Sequence, residues 1–132
     1  MHACVHVITR EKPDWKKMEE IMSPYYEVDF YKPYYDEEND TDMEIPPEAY
    51  PRFLWDYWDA YDCASMDPKQ IRDFGPEKVK DCFIMILPNG YVVSREHWNG
   101  KNHLKHPGEV EYAARFAWQH PDYWITELDI HW

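Results

Sequence analysis

Glycine is scarce in this chain, four residues in 132, and none are clustered. A loop that cradles phosphate with successive backbone N–H groups needs glycines close together, so a phosphate loop or a dinucleotide fingerprint is excluded. No nucleophile elbow and no H-E-x-x-H segment is present either. Positive charge is equally short: 14 Lys and Arg stand against 26 Asp and Glu, a net charge of −12 with histidine neutral. Holding a polyanion requires a basic footprint, so direct nucleic-acid binding is not expected. Cys4, Cys63 and Cys82 are an odd set without C-x-x-C spacing. They read as small apolar core residues in a reducing, cytoplasmic setting. The longest apolar run, Phe83 to Leu87, falls far below the roughly 20 residues that cross a bilayer, so no membrane partner is expected. Residues 1 to 15 mix His, Arg, Glu and Asp without an apolar core, which argues against a targeting leader there.

What is abundant is apolar and aromatic material, 44% and 17% of residues. That suffices to offset chain entropy in one domain spanning 1–132. Ala3 to Ile8 is rich in β-branched residues and predicts a strand. Trp15, Met18, Ile21 and Met22 recur at helical spacing until Ser23-Pro24 ends the helix. Tyr25 to Tyr31 alternates like a half-buried strand. The stretch from Tyr50 to Cys63 places Tyr50, Leu54, Tyr57, Trp58 and Tyr61 on one helical face. Asp81 to Leu87 and Tyr91 to Ser94 read as a hairpin around Pro88-Asn89-Gly90, since Asn-Gly supplies the positive φ of a tight turn. Asn99 to Gly108 reads as a polar loop, Glu109 to Gln119 as a helix and Trp124 to Trp132 as a strictly alternating strand. The expected class is α+β: a mixed or antiparallel sheet with helices on one face and a ferredoxin-like split βαβ core. Residues 33–80 would form an acidic, aromatic, helical insertion.

Three groups of residues carry candidate chemistry. His2, Cys4 and His6 share one face of the first strand; Glu127, Asp129 and His131 share one face of the last. If the two strands are neighbours, His2, His6, Asp129 and His131 converge as ligands for zinc or another divalent ion. The plain alternative is a hydrogen-bonded histidine pair with no cofactor. The second group is His97 to His106, with three histidines and two asparagines. It faintly suggests a histidine-metal nuclease, which the net charge opposes, and otherwise reads as a mobile solvated loop.

The third group lies between residues 27 and 62, where twelve acids face two basic residues, so this window holds −10 of the total −12. Asp36, Glu37, Glu38, Asp40, Asp42 and Glu44 run together. Asp56, Asp59 and Asp62 follow beside Tyr34, Tyr35, Trp55 and Trp58. Interface cores favour Tyr and Trp, and surrounding carboxylates steer a basic partner. The alternative is a packed aromatic helix under a solvated acidic loop.

The termini resemble a group of uncharacterised phage proteins that open with a strand like His-Phe-Thr-Val-Leu-Val-Ile-Gly. His2-Ala3-Cys4-Val5-His6-Val7-Ile8-Thr9 takes that place, and Met22-Ser23-Pro24-Tyr25-Tyr26-Glu27-Val28 matches a following Leu-Ala-Pro-Tyr-His-Glu-Phe segment. Leu87-Pro88-Asn89-Gly90 is similar to a Thr-Pro-Asp-Gly turn, and Pro121 to Trp132 to a closing Leu-Thr-Val-Val-Asp-Cys-His-Ile strand. The resemblance implies a viral accessory gene and no specific activity. With the acidic aromatic window it leads to a non-enzymatic anti-defence protein in the host cytoplasm. By imitating DNA it would block a basic host nuclease such as a CRISPR effector. Two other functions stay open: a metal-binding protein or metal-dependent enzyme, and a sponge for a signalling nucleotide using Arg95, Lys101, Lys105 and Arg115.

Overall fold

β1 (His2–Thr9) is the spine of the fold because both of its faces are buried over most of its length. Val5, Val7, His6 and Ile8 are all fully buried. The computed structural model describes residues 1–61 and 65–132. In chain order the further elements are α1 (Trp15–Met22), α2 (Glu27–Tyr31), β2 (Tyr35–Asp36), β3 (Thr41–Asp42), β4 (Tyr57–Ala60), β5 (Lys69–Gln70) and α3 (Ile71–Phe74). They are followed by β6 (Ile84–Ile86), β7 (Val92–Ser94), β8 (Glu96–Trp98), β9 (His103–Lys105), α4 (Glu109–Trp118) and β10 (Trp124–His131). The main sheet has the order β4-β10-β1-β6-β7, with β5 also pairing β10. β10 runs antiparallel to β1 along its whole length, from His2↔His131 to Thr9↔Trp124. β1 and β6 pair in parallel, Val5↔Ile84 to Val7↔Ile86.

The α+β class and the mixed sheet are as the sequence predicts, whereas strand order and helix placement differ. A split βαβ core would put a strand between β1 and β6, but these two are directly bonded. β6 is buried on both sides, with Ile84, Met85 and Ile86 at 1%, 0% and 3% exposure, and such a strand belongs at the centre of a sheet. The Asn89-Gly90 turn, with Gly90 at φ 83°, then lays β7 outside β6. Helices cover both faces rather than one, since both faces of the central strands need a layer. Met18 and Met22 of α1 pack with Val5, Val7, Ile84, Leu128 and Ile130. Val110, Ala113, Ala114 and Ala117 of α4, with Ile71 of α3, pack against Ile8, Met85, Val93 and Ile125.

The central segment departs furthest from its sequence pattern. Tyr25 to Tyr31 is not a strand. Ser23–Tyr25 is a 3-10 turn with proline at its start, Tyr26 makes a single bridge to Trp55, and α2 follows. The apparent alternation has no buried face, since Val28 is 55% exposed. Tyr50 to Tyr61 is not a helix either. β4 lies antiparallel on β10, Trp58 opposite Ile130 and Asp59 opposite Asp129. Backbone bonds extend the pairing at both ends, Asp56 N to His131 O at 2.8 Å and Tyr61 N to Glu127 O at 3.3 Å. A helix here would strand the backbone groups of the outer edge of β10, and the extended chain satisfies them. The expected loop at 99–108 instead supplies the turn and the second strand of the β8–β9 hairpin, whose turn is closed by Asn99 Oδ1 accepting from Lys101 N and Asn102 N. No helix among the described residues is long and apolar enough to cross a membrane.

Candidate functional site

The acidic run folds into its own small hairpin, β2 paired with β3. Asp36 builds the turn: its carboxylate accepts from Glu38 N, Asn39 N and Asn39 Nδ2 at 3.1, 3.3 and 2.8 Å. The bonds from Asn39 hold that carboxyl below its ordinary range. Asp40 accepts from the Tyr35 hydroxyl and takes a positive φ of 50°. Glu37, Glu38, Asp42 and Glu44 are exposed. None of the six acids from Asp36 to Glu44 enters an ion pair among the described residues. The hairpin is tied down by Met43 N donating to Tyr34 O at 2.7 Å, and Tyr34 sits 5.7 Å from Phe30, centroid to centroid.

The expected rings split between structural and exposed duties. Trp55 is half-buried, donates through Nε1 to Met22 O at 2.9 Å and stacks on Tyr26 at 4.7 Å. It is a fastener of the fold rather than an outward anchor. Trp58 is half-buried and stacks at 4.9 Å on Trp15, which is 44% exposed. Tyr35 and Tyr57 are exposed, Tyr34 half-buried. Asp56 and Asp59 do not join the hairpin's charge. Asp56 binds His131, and Asp59 accepts from Ala60 N and from the Tyr57 hydroxyl. Asp62 lies outside the described residues.

The register of β1 on β10 does bring the polar residues of the two terminal strands onto one face. His2 Nδ1 is 2.9 Å from Asp129 Oδ2, and His131 Nδ1 is 2.7 Å from Asp56 Oδ1. The His2 and His131 rings meet edge to face at 4.9 Å. His6 stands apart from this trio. It is fully buried, with Nδ1 2.7 Å from Val79 O and Nε2 3.2 Å from Glu127 Oε2. The four residues expected to share a metal therefore fall into two neighbouring sets. The face is also divided lengthwise: α4 covers Ile8 and Ile125, while His2, Asp129 and His131 reach solvent.

Beside these residues opens a pocket of about 840 Å3. Its rings include Tyr31, Tyr50, Phe53, Phe83, Trp98 and Trp132, and its nitrogen groups come from His2, Arg52, Arg95, His97 and His103. Both arginines are already occupied. Arg52 lies 3.3 Å from Glu109 Oε1; Arg95 bonds Glu111 Oε1 at 2.5 Å, Cys82 O at 2.9 Å and Lys80 O at 2.8 Å. Lys101, Lys105 and Arg115 do not line the pocket. Rings for stacking are present, while both arginines among the described lining residues are already engaged by glutamates. His97 stacks on His106 with 2.8 Å between Nδ1 and Nε2. Burial, Arg52 and His106 push the His97 pKa down. These two rings join β8 to the segment that follows β9.

Cys4 and Glu127 stand on the expected strand faces, and the pocket beside them has no counterpart in the sequence pattern. The cross-strand pairing of His6 with Glu127 is the pattern that marks the first two. The pocket is assembled from six segments far apart in the chain, and no local sequence pattern signals it. Comparison with protein-family models, curated proteins and solved structures finds no significant match.

Proposed function

We propose that the protein is a non-enzymatic docking protein that occupies a basic, nucleic-acid-binding surface of a host protein and so blocks it. The observation that carries this reading is the β2–β3 hairpin. Asp36, Glu37, Glu38, Asp40 and Asp42 lie on it without a basic residue from Pro33 to Pro51 and without an ion pair among the described residues. Carboxylates that neutralise nothing within their own chain are available to a lysine- and arginine-lined channel, where they stand in for phosphates. Steering of this kind raises association rates by about 10 to 1,000-fold at low salt. The exposed Tyr35 and the Trp15–Trp58 stack add rigid apolar area of the type that interface cores use. The resemblance of the termini to phage proteins makes a host defence nuclease, such as a CRISPR effector, the partner of choice.

The test is affinity capture from a bacterial host lysate at low and high salt, read by mass spectrometry. The expected catch is a basic nucleic-acid-processing protein that is released by salt and by added DNA. A catch that withstands both, or one dominated by acidic proteins, contradicts the reading.

A further inference from the structure

We propose that Cys4, His6 and Glu127 form a binding site for a zinc-class divalent cation, with one coordination position left open toward the adjoining pocket. The Cys4 Sγ, a His6 ring nitrogen and a Glu127 carboxylate oxygen all lie within 4.8 Å of one another. They sit on the two longest, fully paired strands. His6 faces Glu127 directly across the ladder and Cys4 is two residues away on the same face. Such a frame holds ligands in place before the ion arrives.

The decisive feature is the hydrogen-bonding predicament of His6. Its Nδ1 is 2.7 Å from the carbonyl oxygen of Val79, which can only accept, so the ring proton belongs on Nδ1. A neutral imidazole has no second proton. Its Nε2 then turns a lone pair toward a Glu127 oxygen 3.2 Å away, at a side chain with no solvent exposure. Two electron-rich atoms facing each other, one on a fully buried ring and one on a carboxylate that is 37% exposed, need a proton or a metal cation between them. A metal cation meets that need. Two ligands held about 2.0–2.1 Å from a tetrahedral zinc lie about 3.3 Å apart, close to the spacing already present. The carbonyl of Val79 plays the outer partner that fixes the tautomer of metal-bound histidine.

Cys4 completes the set. A thiolate, imidazole and carboxylate together suit zinc over magnesium or calcium. Cys4 lines the 840 Å3 pocket and gives the ion an entrance, whereas His6 and Glu127 are not in its wall. Thiolate ligation of the ion would release the Cys4 thiol proton. Three protein ligands and an open fourth position are the arrangement of zinc sites that accept an outside ligand.

Cobalt(II) serves as the probe. Metal-free protein is titrated with Co2+ in a Cys63→Ser background, in which the only thiols are Cys4 and Cys82. The expected result is one equivalent bound, with a thiolate-to-cobalt charge-transfer band, intense tetrahedral visible bands and full displacement by Zn2+. Cys4→Ser removes the charge-transfer band, Cys82→Ser keeps it, and Glu127→Gln, which alters a half-exposed side chain, weakens binding at least about tenfold. Absence of stoichiometric Co2+, or a charge-transfer band that survives Cys4→Ser, overturns the assignment. Nitrogen NMR of the His6 ring gives a second readout. Zinc must shift Nε2, and an unchanged ring bearing protons on both nitrogens means that a buried imidazolium fills the role instead. The site stands independently of the docking hairpin.

Discussion

Replacing Trp55 separates a residue that holds the fold together from one that greets a partner. Four ties bind Trp55 to the end of α1 and the start of α2. Its N donates to Tyr25 O at 3.0 Å, its O accepts from Glu27 N at 3.0 Å, its indole donates to Met22 O, and its ring stacks on Tyr26. Trp55→Ala keeps the backbone ties and loses the rest. The indole bond contributes about 1 kcal/mol and the stacked pair about 1 kcal/mol. Burial of a half-covered ring adds about 1–2 kcal/mol, taken as below half of a full core truncation. The expected loss is about 3–4 kcal/mol, a large share of the 5–15 kcal/mol typical of a domain. Trp55→Phe keeps the stack and loses about 1 kcal/mol. Urea denaturation followed by near-UV circular dichroism reads both variants, with midpoints falling by about 1–3 M for Trp55→Ala. Should Trp55→Ala cost no more than about 0.5 kcal/mol, the range of an ordinary surface change, the fastening role is wrong.

Further predictions follow from other contacts. Gly100 has φ +86°, and a Cβ there would meet the Tyr50 ring at 2.5–2.7 Å, so Gly100→Ala costs at least about 1–2 kcal/mol from backbone strain and displaces Tyr50 from the pocket rim, visible in its NMR ring signals. Arg95→Lys keeps the charge but cannot span Glu111, Cys82 O and Lys80 O together, and thermal melts should show a loss of about 1–2 kcal/mol. Because the His97 pKa is lowered from its ordinary 6.5, the unfolded chain takes up that proton first. Stability is therefore full above 6.5 and declines as pH falls through the lower folded value. Melting curves between pH 7.5 and 5 should show the decline, and His97→Gln should flatten it.

The ends of the chain were readable and the middle was not, for a physical reason. Alternation in β1 and β10 reflects a real difference between the sheet's faces, so it predicted both the strands and the meeting of His2 with Asp129 and His131. The Asn89-Gly90 turn and the alanine stripe of α4 are similarly local. Between Tyr50 and Tyr61 nearly every second residue is aromatic, and such density fits a helical stripe as well as a strand. What decides the matter is the open edge of β10, some 70 residues further along the chain. The same blindness joined Trp55 and Asp56 to the acidic run, although their partners are Met22, Tyr26 and His131. His6 shares a strand face with His2, yet Val79, far away in sequence, claims its ring.

The sharpest test of the docking claim reverses charge where no fold contact is lost. Glu37→Lys, Glu38→Lys and Asp42→Lys together move the net charge from −12 to −6 while sparing Asp36 and Asp40, which shape the turn. The variant and the parent chain are compared for capture of the host protein and for displacement of DNA from it at low salt. The account predicts an unchanged melting profile with capture and displacement both abolished. Retention of both by the reversed hairpin would contradict it.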